Sequence, residues 1–169
     1  EEQINCCVGL GGYPDRDGIV TLDSCIMDHL ANCGAVAAIE RIKHPVSVAR
    51  KIMEKTPHVL LVGAGAQQFA LENGFVLEPQ ELSEPAKKAY AEWLKESEYK
   101  PIINIENKKQ NGPFAPHFFE DGTANHDTMG LLAKDASGNL SGAVTTSGMA
   151  FKLHGRVGDS PVIGAGLFV

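Results

Sequence analysis

The chain has 169 residues, 43% of them hydrophobic and 21% charged, which suits one globular unit with an apolar core and excludes disorder, coiled coil and collagen. Fifteen Lys+Arg stand against twenty-one Asp+Glu for a net charge of −6, so nucleic acid is not the expected partner, because phosphate binding needs clustered positive charge. No apolar run approaches the roughly 18 residues of a membrane-spanning helix, and no membrane role is expected. The chain opens on Glu1 with no leader-like segment and stops on the apolar run IGAGLFV (163–169), which reads as a fragment.

Residues 9–18 (GLGGYPDRDG) are dense in turn formers. Residues 19–28 (IVTLDSCIMD) alternate as a strand, and residues 33–39 (CGAVAAI) form a second. The polar stretch between them predicts a hairpin. Small residues dominate the second strand, which implies close packing against it. From Pro45 the period changes: Val46, Ala49, Ile52 and Met53 make a stripe at helical spacing, with proline at the first helical position and Thr56-Pro57 as the stop. Residues 58–62 (HVLLV) read as a short buried strand, followed by a Gly-rich turn and a helix over 66–72 that ends at Asn73-Gly74. That strand, turn and helix invite comparison with a dinucleotide site. Gly63-Ala64-Gly65 lacks the third small position, however, and no acid-tipped strand follows, so no cofactor is expected.

Residues 85–98 predict an amphipathic helix with Ala86, Ala89, Tyr90, Trp93 and Leu94 inward, Trp93 serving as a core anchor. Residues 100–125 carry three prolines and no periodicity and read as a linker. Residues 128–133 (TMGLLA) and 140–145 (LSGAVT) predict a second hairpin, with turn residues between them. The four cysteines, Cys6, Cys7, Cys25 and Cys33, lack zinc spacing and are expected as buried or partly buried thiols. A disulfide such as Cys7–Cys33 is the alternative in an oxidising compartment. No metal site is expected.

Three features carry chemistry. His126-Asp127-Thr128 stands at a loop-to-strand junction. A threonine hydroxyl needs an adjacent base, and the residue's own α-amine, with a pKa near 8, supplies one once the preceding bond is cut. Against this stands the plain reading of a polar strand cap. Thr145-Thr146-Ser147 ends the partner strand, so the hairpin should bring Thr146 beside Thr128, although an ordinary hydroxyl-rich turn has the same sequence. Arg156-Val157-Gly158-Asp159 offers one guanidinium and one carboxylate three residues apart. Together these suit a zwitterion, through two parallel bonds to its carboxylate and one to its ammonium. A self-paired surface salt bridge is the competing reading.

Together the stretch HDTMGLLAKDASGNLSGAVTTSGMAFKLHGRVGDSPVIGAG (126–166), with GGYPDRDGIVTLDSCIMD (11–28) and KHPVSVARKIMEKTPHVLLVG (43–63), resembles the glycosylasparaginase (aspartylglucosaminidase) branch of the N-terminal nucleophile hydrolases. The likeness runs from about Val8 to Val169. It implies an α+β fold, an αββα four-layer sandwich of which this chain holds an incomplete portion, with part of each of two sheets and an unpaired edge. It also implies a precursor that cuts itself at Asp127–Thr128, helped by His126 and Asp127. Residues 1–127 would form part of an α-subunit and 128–169 the start of a β-subunit. By the same resemblance Thr128 is the nucleophile and Thr146 tunes it, while the Arg156–Asp159 loop holds the substrate. The implied substrates are glycosylated asparagine or related asparagine derivatives. Family members are commonly dimers of α/β pairs, periplasmic or lysosomal. The family also has an N-terminal strand and helix and a Thr-Gly-rich oxyanion turn that this sequence lacks, so the polypeptide alone is expected to be inert. The related isoaspartyl peptidase branch is the alternative, although it typically carries Gly rather than Asp before the nucleophile. A non-catalytic remnant is a further alternative.

Overall fold

The structure is a computed structural model that describes residues 8–95 and 128–169. Five strands form one mixed sheet flanked by helices, an α+β arrangement. In chain order they are β1 (Thr21–Met27), β2 (Cys33–Glu40), α1 (Pro45–Lys55), β3 (Leu60–Val62), α2 (Gly63–Glu72), α3 (Glu84–Trp93), β4 (Thr128–Lys134) and β5 (Leu140–Thr146). The order across the sheet is β3-β2-β1-β5-β4. Only β2 and β3 run parallel; β1 pairs antiparallel with both β2 and β5, and β5 with β4. The two expected hairpins therefore exist, and they join side by side. Where portions of two sheets were expected, the described residues hold one.

Both hairpins close with the same device. Asp28 and Asp135 each accept two backbone amides through one carboxylate oxygen, from Leu30 and Asn32 and from Ser137 and Asn139 respectively, and each takes an amide side chain from Asn32 or Asn139 on the other oxygen. These bonds favour the charged form, the Asn side chain most of all, and hold both carboxyls below the usual range.

One face of the sheet packs on α1 and α2. Leu22, Val36, Ile39, Val48, Ala49, Ile52, Ala66 and Ala70 form that core. Pro45 opens α1 as expected, and Thr56 ends it by donating its hydroxyl 2.9 Å to the Ile52 carbonyl. The small residues of β2 have a physical reason: a Cβ on Gly34 would stand 2.1 Å from the Ala49 carbonyl oxygen and 2.8 Å from the Met53 amide nitrogen. Gly34→Ala is therefore expected to force β2 and α1 apart and cost at least about 2 kcal/mol. Urea unfolding of the full-length variant checks this, and an unchanged midpoint contradicts it.

The opposite face carries Cys25, Met27, Ala35 and Val144, covered by Ile163, Leu167 and Val169 from the C-terminal segment. Cys25 and Cys33 are free thiols, the first buried and the second half-buried. Burial, with smaller contributions from Cys33 and Asp159, pushes the Cys25 thiol up to about 11. Cys6 and Cys7 lie outside the described residues.

Several expectations need correction. Residues 58–62 do not make a buried strand: Leu60 and Val62 are 42% and 57% exposed, because β3 is the outer strand of the sheet. An apolar run of this length is equally compatible with an edge. The helix expected over 66–72 starts at Gly63, which follows β3 directly with φ +51°. The glycines thus belong to the helix, and no phosphate-cradling loop separates strand from helix. On α3 only Ala86 is fully buried. Trp93 is half-buried and is not a core anchor; it stacks on Phe151 at 5.2 Å, with Tyr90 alongside at 6.0 Å. Leu94, placed on the inward face by the sequence, is 48% exposed. The linker at 100–125 and residues 96–98 of the expected helix lie outside the described residues. Strand β4 is exposed along its whole length, and among the described residues no strand pairs with its outer side. No helix among the described residues is long and apolar enough to cross a membrane.

Candidate active site

The register of three strands sets out a row. Thr128 opens β4 directly opposite Thr146 at the end of β5, and Thr146 is directly opposite Asp23 of β1. Residues opposed in this way share a face of the sheet, so two hydroxyls and a carboxylate stand side by side. The expected neighbourhood of Thr128 and Thr146 is present. The Thr128 hydroxyl meets the Ser160 hydroxyl at 3.4 Å, and the Thr146 hydroxyl accepts the Gly148 amide at 2.8 Å. Thr128 is exposed, while Thr146 and Ser160 are buried.

Asp23 is fully buried within β1, between Leu22 and Ser24. The ladder between β1 and β2 slips at this point, between the Leu22 and Ser24 pairs. Ala38, opposite the slip, adopts φ +50°, a left-handed conformation that a residue with a Cβ enters at a cost of order 1 kcal/mol. The distortion turns the Ala38 amide onto Asp23, which accepts it at 2.7 Å through Oδ1. Among the described residues Oδ2 makes no hydrogen bond of ordinary geometry. Burial raises the Asp23 pKa, and the Ala38 amide, Lys152, Arg156 and the Gly158 amide pull it back in that order.

The loop that follows β5 returns over this face. Arg156 is half-buried, and its guanidinium lies over Gly158, where a Cβ would stand 3.3 Å from Nη1, with Gly148 at ordinary contact distance, 3.7 Å. Val157 and Asp159 are exposed and Gly158 is half-buried. Asp159 immediately precedes Ser160, the residue that meets Thr128, and its charge reaches Cys25, two residues beyond Asp23. The loop is held close by Gly166, where a Cβ would stand 2.5 Å from the Asp159 carbonyl oxygen. Arg156 and Asp159 thus flank the end of the sheet where Thr128 and Thr146 meet. His126 and Asp127 lie outside the described residues.

An N-terminal strap secures the loop from outside. Phe151 donates its amide to the Pro14 carbonyl at 2.8 Å, and Arg16 donates to the Lys152 carbonyl at 2.9 Å. Tyr13 and Phe151 rings lie 5.8 Å apart. Asp15, fully buried, accepts the amides of Asp17 and Ile19 on Oδ1 and meets His154 Nδ1 at 2.6 Å on Oδ2. That carboxylate hydrogen bond raises the His154 pKa. A group raised on folding contributes stability below its unfolded pKa of about 6.5, and the contribution disappears as pH rises through the higher folded value. Because the His154 side chain is 49% exposed, the contribution is small. We expect the melting temperature of the full-length protein to exceed that of His154→Gln at pH 5.5 and the gap to narrow by pH 9. A gap that widens with pH would contradict the pairing. Asp15, Asp17 and His154 also lie close enough to share a cation, but Asp15 is already satisfied by two amides and the imidazole.

Sequence reasoning did not single out Asp23, Lys152, Ser160 or the Asp15–His154 pair. The available signal was a charge within an apolar alternation, as in TLDSCIM (21–27) and AFKL (150–153).

Comparison with known proteins bears on this arrangement. An asparaginase family model matches residues 1–169. The chain is 60% identical over 162 residues to an N(4)-(β-N-acetylglucosaminyl)-L-asparaginase of Elizabethkingia miricola, covering 96% of this chain and 42% of that protein. It is 38% identical over 182 residues to the rat (Rattus norvegicus) protein of the same name, covering 99% and 52%. An isoaspartyl peptidase of Salmonella typhimurium is 38% identical over 162 residues, covering 95% and 48%. The chain spans about half the length of the curated relatives it matches. With the match extending over every residue that builds the row and its covering loop, the chain belongs to the asparaginase family.

Proposed function

We propose that this chain is part of a self-processing amidohydrolase that cleaves the side-chain amide of N4-(β-N-acetylglucosaminyl)-L-asparagine and releases aspartate. The observation that carries the reading is the position of Thr128: on an exposed strand at the rim of the described sheet, in register with Thr146 and in contact with Ser160. In the precursor its hydroxyl attacks the carbonyl carbon of Asp127. The acyl group passes from nitrogen to oxygen, and water hydrolyses the resulting ester to free the Thr128 amine. Residues 1–127 then belong to one subunit and 128–169 to the other.

In the mature protein the same hydroxyl attacks the substrate's side-chain carbonyl and passes its proton to the α-amine, whose pKa near 8 suits a base near neutrality. The glycosylamine leaves with a proton, a β-aspartyl ester remains on Thr128, and water releases aspartate. Arg156 takes the substrate α-carboxylate and Asp159 its α-ammonium, with Val157 and Gly158 shaping the loop between them. Thr146 positions the nucleophile. His126 and Asp127 assist the cut. The exposed β4 edge and the one-sided helix cover fit an αββα sandwich completed by further chain, with two α/β pairs assembling as a dimer.

A second reading, isoaspartyl peptidase, is favoured by the Salmonella relative, which is as similar as the rat protein. Denaturing electrophoresis and N-terminal sequencing of the full-length protein, followed by assay on glycosylasparagine and a β-aspartyl dipeptide, test both. Two chains, one starting at Thr128, with faster release from glycosylasparagine, are expected. Preference for the dipeptide selects the second reading, and an uncut full-length protein contradicts both.

A further inference from the structure

Lys152 is about 1% exposed, an unusual place for an ammonium. Its Nζ donates 2.9 Å to the Ser147 carbonyl, and a Cβ on Gly148 would stand 2.8 Å from it, so the turn after β5 wraps the charged end. That turn is the one whose Gly148 amide binds the Thr146 hydroxyl. Lys152 therefore grips the backbone one residue beyond Thr146 in the row. Burial lowers its pKa; Asp23 opposes that shift, Arg156 adds to it, and Asp15 opposes it more weakly. Asp23, buried with Oδ2 making no hydrogen bond of ordinary geometry among the described residues, has Lys152 and Arg156 as its cationic neighbours and the Gly158 amide nearby. Both groups are withdrawn from water into surroundings where a charge is felt over a longer range than at the surface.

We propose that Lys152 and Asp23 are positioning residues for Thr128, Asp23 as the buried carboxylate at the far end of the Thr128–Thr146–Asp23 row and Lys152 as the buried amine that holds the turn after Thr146; the inference rests on the reading of Thr128 as the nucleophile. The pair acts in two ways. It fixes the end of β5, against which Thr128 is registered. It also sets the field at the Thr128 amine: strand spacing puts Asp23 roughly 10 Å across the sheet from Thr128, a range at which a charge in a poorly solvated setting still shifts a titration. Arg156, Asp159, Asp15 and His154 supply the other charges around this end of the sheet and stay constant in the comparison below.

The test uses the full-length protein and the acidic limb of its kcat/KM against pH, which reports the free enzyme's base. Lys152→Met removes a positive charge, so the amine binds its proton more tightly and the limb moves to higher pH, by about half a unit. Asp23→Asn removes a negative charge and moves the limb to lower pH by a similar amount. The double variant returns it close to the wild-type position, and Lys152→Arg, which keeps the charge, leaves it there. A purely structural role lowers melting temperature or kcat without these opposed shifts. If the singles fold poorly, the charge-neutral double variant and Lys152→Arg still decide, since a displaced limb in either overturns the proposal. Single variants whose limbs stay fixed, or move the same way, overturn it as well while leaving the Thr128 reading intact. A wild-type protein that never exposes Thr128 contradicts that reading, and this inference with it.

Discussion

Replacing Thr128 by alanine in the full-length protein is expected to leave one uncut chain with no measurable hydrolysis of glycosylasparagine. In the proposed mechanism both steps use the same oxygen. Without it no acyl shift occurs at Asp127–Thr128, and the α-amine that would act as base stays locked in a peptide bond. Loss of a nucleophile typically lowers kcat by roughly 10⁴-fold or more, and here the unprocessed junction adds to that loss. Nothing else in the row offers a substitute: Ser160, 3.4 Å away, carries a hydroxyl but no free amine. Thr128→Ser keeps the oxygen and should still cut. Electrophoresis over several days of incubation checks both variants, and cleavage of the alanine variant at the same bond would sink the assignment.

The second large effect is expected at Arg156. The guanidinium packs closely over Gly158, where a Cβ would stand 3.3 Å from Nη1. Arg156→Lys keeps the charge but replaces the fork by a single point, so the two parallel bonds to a substrate carboxylate cannot form. A loss of about 2–4 kcal/mol in kcat/KM is expected, mostly as a raised KM. Self-cleavage should proceed, because that step needs no bound amino acid. Steady-state kinetics with an asparagine derivative decide the matter. An unchanged KM would show that Arg156 does not hold the substrate.

The hairpins and α1 were legible because their signals are local: alternation, polar turn-forming residues between the strands, proline at a helix start and a proline stop. The Thr128–Thr146 neighbourhood was legible for the same reason, since a hairpin puts the first residue of one strand opposite the last of the other. What stayed hidden depends on non-local pairing. Asp23 reaches the row only because β1 lies between β2 and β5, an arrangement that joins segments more than a hundred residues apart. The slip at Ala38 that gives Asp23 its amide leaves no trace in a run of small residues. Lys152 reads as a surface cation until the turn at 147–148 closes on it. The edge position of β3 was missed because an apolar triplet looks the same in the middle of a sheet and at its rim, and Trp93 because a helical stripe does not say what, if anything, covers it.

The central claim is that Thr128 carries the acyl group, and acid quenching of the full-length protein during turnover of glycosylasparagine tests it most directly. Peptide mass spectrometry of the quenched sample should find one aspartyl unit esterified to the peptide that begins at Thr128, absent when substrate is omitted. An aspartyl adduct on any other residue, or product release at full rate from a protein whose Thr128 is still joined to Asp127, would contradict the account.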